Sequence, residues 1–190
     1  MNDIRRLLRH VRPATPATPP WRAVAAAVLL AGLAACGSSP MPPSAPSGVA
    51  ALESKSGSSV TGTVRFSQVA DGVRVSASIS GLKPNGEHGF HVHEKGDCSS
   101  PDGMSAGGHF NPGGHPHGPQ GSAHHAGDMP SLKADANGKV ETTFLLTGVS
   151  IGSGPANLMG KGVIVHAEPD DYKTQPTGNA GGRWACGVIM

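Results

Sequence analysis

The segment GFHVHEKGDC, residues 89–98, places two histidines one residue apart in a run that alternates as a β-strand does. Side chains at positions i and i+2 of a strand project from the same face, about 7 Å apart. His91 and His93 could therefore ligate one metal ion together. His166 ends another apolar run, VIVH, and could supply a third imidazole from a neighbouring strand. An imidazole-rich site on strands with an open position suits copper.

A second group of candidate ligands lies in a long segment with little periodicity. This group of ligands consists of three imidazoles and one carboxylate, those of His109, His117, His125 and Asp128. Such a set can fill a tetrahedral zinc shell without leaving a position for water, which is typical of a structural ion. A structural ion would also order a segment that has no regular secondary structure of its own. The spacing therefore predicts two metal sites of different character.

Short runs of alternating hydrophobicity, separated by turn residues, predict an all-β domain. The predicted strands are 59–66, 73–80, 89–94, 140–146, 162–167 and 186–189, with a weaker opening strand at 49–52. Two long irregular segments, one before Val140 and one from Glu168 to Arg183, contain candidate ligands or charged residues. We expect a Greek-key β-sandwich or flattened barrel of about eight antiparallel strands with two long functional loops.

Residues 1–35 have the features of a signal peptide. Arginines precede an apolar run, Ala23 to Leu33, which is too short to span a bilayer. The run ends in LAAC, which resembles the lipobox of bacterial lipoproteins and implies cleavage after Ala35 and acylation of Cys36. The alternative is an ordinary signal peptide that is cut nearby, with Cys36 left free or removed.

The segment after the cysteine is rich in serine and proline. We interpret residues 36–57 as a lipidated cysteine followed by a flexible linker, and residues 58–190 as the folded domain. A lipid on Cys36 would anchor the protein to a membrane without a spanning segment. We therefore expect an exported protein of the periplasm or cell envelope, held at the membrane by its lipid.

The charge distribution argues against a nucleic-acid partner. The whole chain has a formal net charge of +2, but the leader holds five of its 15 basic residues and one of its 13 acidic residues. The remaining 10 basic and 12 acidic residues give the mature domain a net charge of −2 when its histidines are neutral. The sequence also lacks a basic stripe with interleaved aromatic residues.

Five motifs resemble, in order, those of the copper/zinc superoxide dismutases. They are HGFHVHEKGDC, GGHFNPGGHPHGP, HHAGD, VIVHAEPDD and GNAGGRWACGVI, and the resemblance extends from Val60 to Ile189. The segment DDYKTQPTGNAGGR and the lipobox resemble the exported bacterial branch of the family. The resemblance implies an oxidoreductase that converts superoxide to oxygen and hydrogen peroxide by copper redox cycling. It would protect the cell envelope from extracytoplasmic superoxide.

The resemblance implies one copper ion and one zinc ion per subunit. The copper ligands would be four histidines, namely His91, His93, His109 and His166. The zinc ligands would be three histidines and one aspartate, namely His109, His117, His125 and Asp128. His109 would thus bridge the two ions and couple electron transfer to proton transfer.

The same resemblance assigns roles to residues outside the two ligand sets. Arg183 would orient superoxide beside copper, and His109 would be the second catalytic residue. Asp170 would accept hydrogen bonds from one copper histidine and one zinc histidine, which we expect to be His91 and His117. Cys98 and Cys186 would form a disulfide. Asp171 is the alternative to Asp170, which is preferred only for its offset from His166.

Two of the expected zinc ligands have a neighbouring histidine as an alternative. His117 is preferred over His115 by its spacing to the following HGP motif, and His125 is preferred over His124 by its distance to Asp128. We expect His115 and His124 to be exposed loop residues.

Two other functions would also use a histidine-rich domain. A lipoprotein that buffers or delivers copper or zinc needs the ligands but not Arg183, a bridging His109 or an open copper position. An exported zinc hydrolase needs a water on zinc and a general base, which the closed zinc ligand set argues against. The sequence favours the enzyme, and it leaves open whether the domain is a monomer or a homodimer.

Overall fold

A computed structural model describes residues 44–190, so the predicted signal peptide, Cys36 and the first part of the predicted linker lie outside the described residues. Within residues 44–190 the strands are β1 (Ser47–Ser54), β2 (Thr61–Val69), β3 (Gly72–Ser80), β4 (Glu87–His88), β5 (Phe90–His93), β6 (Leu132–Lys133), β7 (Val140–Leu146), β8 (Gly162–His166) and β9 (Arg183–Val188). One short 3₁₀ helix, Met104–Ala106, lies between β5 and β6. No helix in this range has the length and hydropathy to span a membrane.

The strands form one curled antiparallel sheet, and this confirms the predicted all-β class. Its strand order is β5-β8-β9-β1-β2-β3-β7, while β4 and β6 pair separately. Strands β7 and β8 follow each other in sequence but are not neighbours, so the chain crosses over between them, as in a Greek key. The two long loops run from β5 to β6 and from β8 to β9.

Alternation of side chains along the strands builds the core. On β3, Val73, Val75, Ala77 and Ile79 are buried while most residues between them are exposed. On β8 every residue is buried, because Val163 and Val165 join the main core while Ile164 packs in a small second cluster with Ala106 and Cys186. Both faces of β8 are therefore covered, which explains its continuous apolar sequence.

Strand β1 lies before the predicted domain boundary at residue 58, which is therefore corrected. It pairs with β2 over Ser47–Leu52 and with β9 over Glu53–Ser54, in the middle of the sheet. Its inward residues include Ala50 and Leu52, and the small size of the alanine makes the apolar signal weak. Residues 47–57 belong to the folded domain rather than to the linker.

The predicted third strand, 89–94, corresponds to β5, and Gly89 separates β5 from β4, which lies before the predicted strand. A Cβ at Gly89 would lie 2.7 Å from the Cβ of Ala180 and 3.2 Å from the ring of His91, so only glycine fits where the second loop crosses. The separate pairing of β4 with the short strand β6 has no counterpart in the sequence prediction. Strand β6 has only two residues, which is too short to show a period.

The disulfide between Cys98 and Cys186 is present, as expected. It joins the first long loop to β9 across 88 residues of sequence, with the two Cα atoms 5.7 Å apart. Cys186 is fully buried, and Cys98 packs beside it against Ala106 and Ile164. The disulfide therefore attaches the first long loop to β9 at a point next to the 3₁₀ helix.

Replacement of Cys98 by serine should lower the free energy of unfolding by about 2–4 kcal/mol, because the unfolded chain regains the freedom that the cross-link removes. Urea denaturation of oxidised and reduced wild-type protein and of Cys98→Ser measures this. The reduced wild type should match the variant. Equal unfolding midpoints for the oxidised wild type and the variant would contradict the expected role of the bond.

Candidate metal centre

Four buried histidines converge where the first long loop folds back onto β5. His91 and His93 come from β5 and His166 ends β8, while an isolated bridge to His93 brings His109 alongside. One ring nitrogen from each of the four lies within 4.8 Å of every other. The arrangement follows from the period of the strand, which turns both histidines of β5 to the same side while Val92 enters the core.

Each of these rings has one buried nitrogen without a hydrogen-bond partner. The unpartnered atoms are Nδ1 of His91 and Nε2 of His93, His109 and His166. Buried polar atoms are rarely left unpaired, and one in each of four converging rings indicates a site built for a shared ion. Four neutral imidazole nitrogens are a donor set that suits copper.

The opposite nitrogen of each strand histidine is fixed by a hydrogen-bond acceptor. His91 donates from Nε2 to Asp170 Oδ2 at 2.8 Å, and His93 donates from Nδ1 to the Gly107 carbonyl at 2.9 Å. His166 directs Nδ1 at the Gly181 carbonyl at 3.3 Å. Because carbonyl and carboxylate oxygens accept hydrogen bonds, these contacts place the proton on the outer nitrogen and leave the inner lone pair free for a metal.

A second cluster brings together three histidines and one aspartate. The ligand atoms of His109, His117, His125 and Asp128 all lie within 4.8 Å of one another, and all four residues are buried. Nδ1 of His109 lies 2.9 Å from Asp128 Oδ1, and Nδ1 of His117 lies 3.0 Å from Oδ2. Three nitrogens and one carboxylate oxygen fit zinc.

His109 belongs to both clusters through opposite edges of one ring. Its Nδ1 faces Asp128 and its Nε2 is the unpartnered atom that faces the strand histidines. The ring is almost completely shielded from solvent, with a side-chain exposure of 1%. This geometry allows one imidazole to contact two ions at once.

Asp170 links the two clusters on their other side. Its Oδ2 accepts from His91 Nε2 at 2.8 Å and its Oδ1 accepts from His117 Nε2 at 2.9 Å. Oδ1 also accepts from the backbone N–H of Tyr172 at 2.7 Å. The neighbouring Gly178 has a φ of +65°, and a side chain there would clash with Asp170 and His117.

Burial and charge set the protonation of these rings when no ion is bound. Burial lowers the pKa of His91 to about 4 and holds the pKa values of His93 and His166 well below the usual range. For His117, burial acts in the same direction, but hydrogen bonds with Asp128 and Asp170 outweigh it and raise its pKa to about 9. Metal ligands must be deprotonated, so the three strand histidines are already in the binding form near neutral pH.

Arg183 lies beside the strand histidines and is 8% exposed. It is the cross-strand partner of His166, at a bulge between β8 and β9. Its guanidinium donates to the carbonyls of Gly103 at 2.8 Å and Gly107 at 2.7 Å. An open cleft of about 410 Å³ is lined by both Arg183 and His166, so solutes can reach this side of the cluster.

The neighbouring histidines lie outside the two clusters. His115 is exposed as expected, whereas His124 is half-buried rather than exposed, and its Nδ1 is directed at the carbonyl of His125 at 2.6 Å. His88 is buried and donates from Nδ1 to the carbonyl of His166 at 2.9 Å, which supports the end of β8.

Asp171, the alternative to Asp170, also lies outside the clusters. It is exposed, and its carboxylate accepts from the backbone N–H and the hydroxyl of Thr174. It therefore caps a turn of the second loop, and its hydrogen bonds involve no histidine of either cluster.

Some contacts at the site involve residues that the sequence analysis did not identify as part of it. Gln175 accepts from the N–H of His117 at 2.8 Å and donates to the His117 carbonyl at 2.9 Å, which ties the second loop to the first. The ring of Trp184 lies 5.3 Å from the ring of His88 and packs on the main core. Neither contact has a sequence signal, because each depends on where separate loops and strands meet.

The family model for copper/zinc superoxide dismutase (SODC) matches residues 60–189. The chain belongs to the copper/zinc superoxide dismutase family. Membership makes it an oxidoreductase, and the copper and zinc that the family binds fit the two donor sets described above.

Relatives within this family cover most of the described chain. Cu-Zn superoxide dismutase 2 of Aquifex aeolicus (strain VF5) is 43% identical over 137 residues, which are 68% of this chain and 79% of that protein. The Cu-Zn superoxide dismutase of Paramecium bursaria Chlorella virus 1 is 45% identical over 138 residues, 68% of this chain and 72% of that protein.

Solved structures agree with the fold. A SOD-like protein from Bacillus subtilis is 36% identical, with a TM-score of 0.69, over 75% of this chain and 97% of that one. The clock protein EA4 is 41% identical, with a TM-score of 0.69, over 77% of this chain and 94% of that one.

Replacement of Asp170 by asparagine should weaken zinc binding by about 10- to 100-fold, because the amide can no longer accept from both His91 and His117. Competition with a chromogenic chelator measures the zinc dissociation constant. Asp171→Asn is the matched control, since it changes the adjacent carboxylate, which is exposed. Equal zinc affinity in the two variants would show that Asp170 does not hold the ligands.

Proposed function

We propose that this protein removes superoxide outside the cytoplasm, with copper held by His91, His93, His109 and His166 and zinc held by His109, His117, His125 and Asp128. The observation that carries the ligand assignment is the shared ring of His109, with one nitrogen in each buried cluster. The superoxide dismutase activity follows from the family, whereas the residue roles and the place of action are the proposal.

Bound copper would supply one-electron chemistry, while zinc, which has no redox chemistry, would fix the geometry of the ligands. The residues of the chain provide the remaining functions. Arg183 directs a fixed positive charge into the cleft, where it attracts and orients a small anion. Its two carbonyl contacts keep the guanidinium in place, and the carbonyl of Gly107 also accepts from His93, so the arginine and a ligand histidine share one anchor.

Dismutation consumes two protons for each pair of superoxide ions, and His109 is placed to deliver one of them. Its Nε2 has no protein partner, so this atom can hold a proton whenever it does not bind copper and can donate that proton to the departing peroxide. Its Nδ1 stays directed at Asp128, which keeps the ring in position during the transfer. Solvent in the open cleft can supply the second proton.

Replacement of His109 by alanine should reduce the rate of superoxide decay by about 100-fold or more, because both the bridge and the proton donor are lost. Metal-loaded wild type, His109→Ala and His115→Ala are compared by pulse radiolysis. The exposed His115 is the matched control and should retain wild-type activity. A wild-type protein that takes up both metals without activity would instead indicate a protein that stores or delivers metal.

We also propose that the protein is a lipoprotein of the cell envelope, attached to a membrane through acylated Cys36. The motif LAAC at the end of an apolar leader supports this, and the intramolecular disulfide is consistent with an oxidising compartment. A serine- and proline-rich tether between Cys36 and β1 would let the domain face the aqueous space.

Replacement of Cys36 by serine should move the full-length protein from the membrane fraction to the soluble fraction, because the acylated residue is lost. Cells expressing each form are fractionated, and the mature N-terminus is identified by mass spectrometry. Cys98→Ser is the control for loss of a thiol. Recovery of wild-type protein in the soluble fraction, with an unmodified N-terminus, would contradict the anchor.

A further inference from the structure

The cleft beside the copper-side cluster contains a carboxylate as well as Arg183. Asp102, Arg183 and His166 line the same opening, together with small or uncharged residues such as Met104 and Thr177. Among the residues described, Asp102 and Arg183 are the two charged side chains in this lining. Asp102 is exposed, whereas Arg183 is buried and donates a hydrogen bond to the carbonyl of Gly103.

One short turn holds both charged side chains in position. Asp102 Oδ1 accepts from the backbone N–H of Met104 at 3.0 Å, and the carbonyl of the intervening Gly103 accepts from Arg183 Nη1 at 2.8 Å. The hydrogen bond from the Met104 N–H, a hydrogen bond from Ser100 and the charge of Arg183 lower the pKa of Asp102. The carboxylate is therefore ionised at neutral pH and faces the entrance.

The nearby lysine adds little net charge. The Cγ of Lys55 would lie 3.7 Å from a Cβ at Gly103, but the Nζ of Lys55 lies 3.7 Å from the carboxylate of Glu53. The two charges of this pair have opposite signs, and neither residue lines the cleft. Among the side chains that line the cleft, Arg183 and Asp102 therefore contribute charges of opposite sign, and any bound metal ions add their own positive charge.

We propose that Asp102 is a specificity-determining residue that favours a monoanion over polyvalent anions at Arg183. The repulsion that an anion meets from Asp102 is proportional to its own charge. A unit negative charge about 8 Å away in water lowers the occupancy of a monoanion by a factor of about two. It lowers the occupancy of a dianion by a factor of about four. Asp102 thus weakens the binding of anions such as phosphate more than it weakens that of superoxide. This inference rests on the proposed role of Arg183 in attracting the substrate.

The test compares Asp102→Asn with Asp97→Asn in the metal-loaded protein. Asp97 lies in the same loop, is exposed, and accepts from the N–H two residues later, Ser99, at 2.9 Å, but it does not line the cleft. Both variants remove one negative charge, and both retain a side-chain oxygen that can accept the backbone hydrogen bond. Any difference in anion binding between the two variants therefore depends on where the removed charge lies.

Two quantities are measured. Calorimetric titration with inorganic phosphate gives its dissociation constant, which should fall about fourfold in Asp102→Asn and stay within about 1.2-fold of wild type in Asp97→Asn. Pulse radiolysis at low ionic strength gives the second-order rate constant for superoxide, which should rise about twofold in Asp102→Asn only. Both effects should vanish near 1 M salt, where charges are screened within about 3 Å.

Equal phosphate affinity in the two variants, or an affinity unchanged from wild type, would overturn the proposal. A lower superoxide rate in Asp102→Asn with unchanged phosphate binding would also overturn it, since it would show that the carboxylate only shapes the loop. Asp102→Glu retains the charge and should behave as wild type in both measurements. Because phosphate binding does not depend on turnover, an inactive protein with the expected phosphate affinities would contradict the proposed function and leave the anion selection standing.

Discussion

The imidazole of His109 is the contact on which the arrangement of the whole centre depends. It is a buried ring with an acceptor, Asp128, at one nitrogen and a cluster of strand histidines at the other. A ring in this position cannot move toward one side without losing contact on the other. The backbone bridge between His93 and His109 holds the loop against β5 and so determines where the ring lies.

The surrounding structure restrains that ring from several directions. Asp170 holds His91 and His117 from the far side, and the disulfide attaches the first loop to β9 near Arg183. Each strand histidine has its outer nitrogen bonded to protein, so its inner nitrogen can point only at the centre. The sheet supplies rigid positions for three of the candidate ligands, and the loops bring the others to them. This division explains how a domain with little regular structure around its site can still hold a precise geometry.

Much of the site could be predicted because strand periodicity and ligand chemistry are local. The spacing of His91 and His93 placed them on one face, and the three histidines and one aspartate of the first loop had the composition of a zinc shell. The pairing of the clusters through His109 came from the family motifs rather than from periodicity. The choice of Asp170 over Asp171 rested on an offset, whereas the structure separates them by burial and by hydrogen bonds to two histidines.

Other features depend on contacts between distant parts of the chain. β1 has alternating but small inward residues, so its place between β2 and β9 was not evident and the domain boundary was set too late. β6 is too short for a pattern, and the amide pair between Gln175 and His117 joins two loops that are far apart in sequence. Sequence patterns report which face of an element is buried, but they do not report which loops meet.

Diffraction from crystals of the copper- and zinc-loaded protein, with anomalous data at both absorption edges, tests the central claim most directly. The account predicts one copper peak within bonding distance of His109 Nε2 and one zinc peak within bonding distance of Nδ1 of the same ring. A single peak shared by all the ligands, or two peaks that both lie beyond bonding distance of His109, would contradict it.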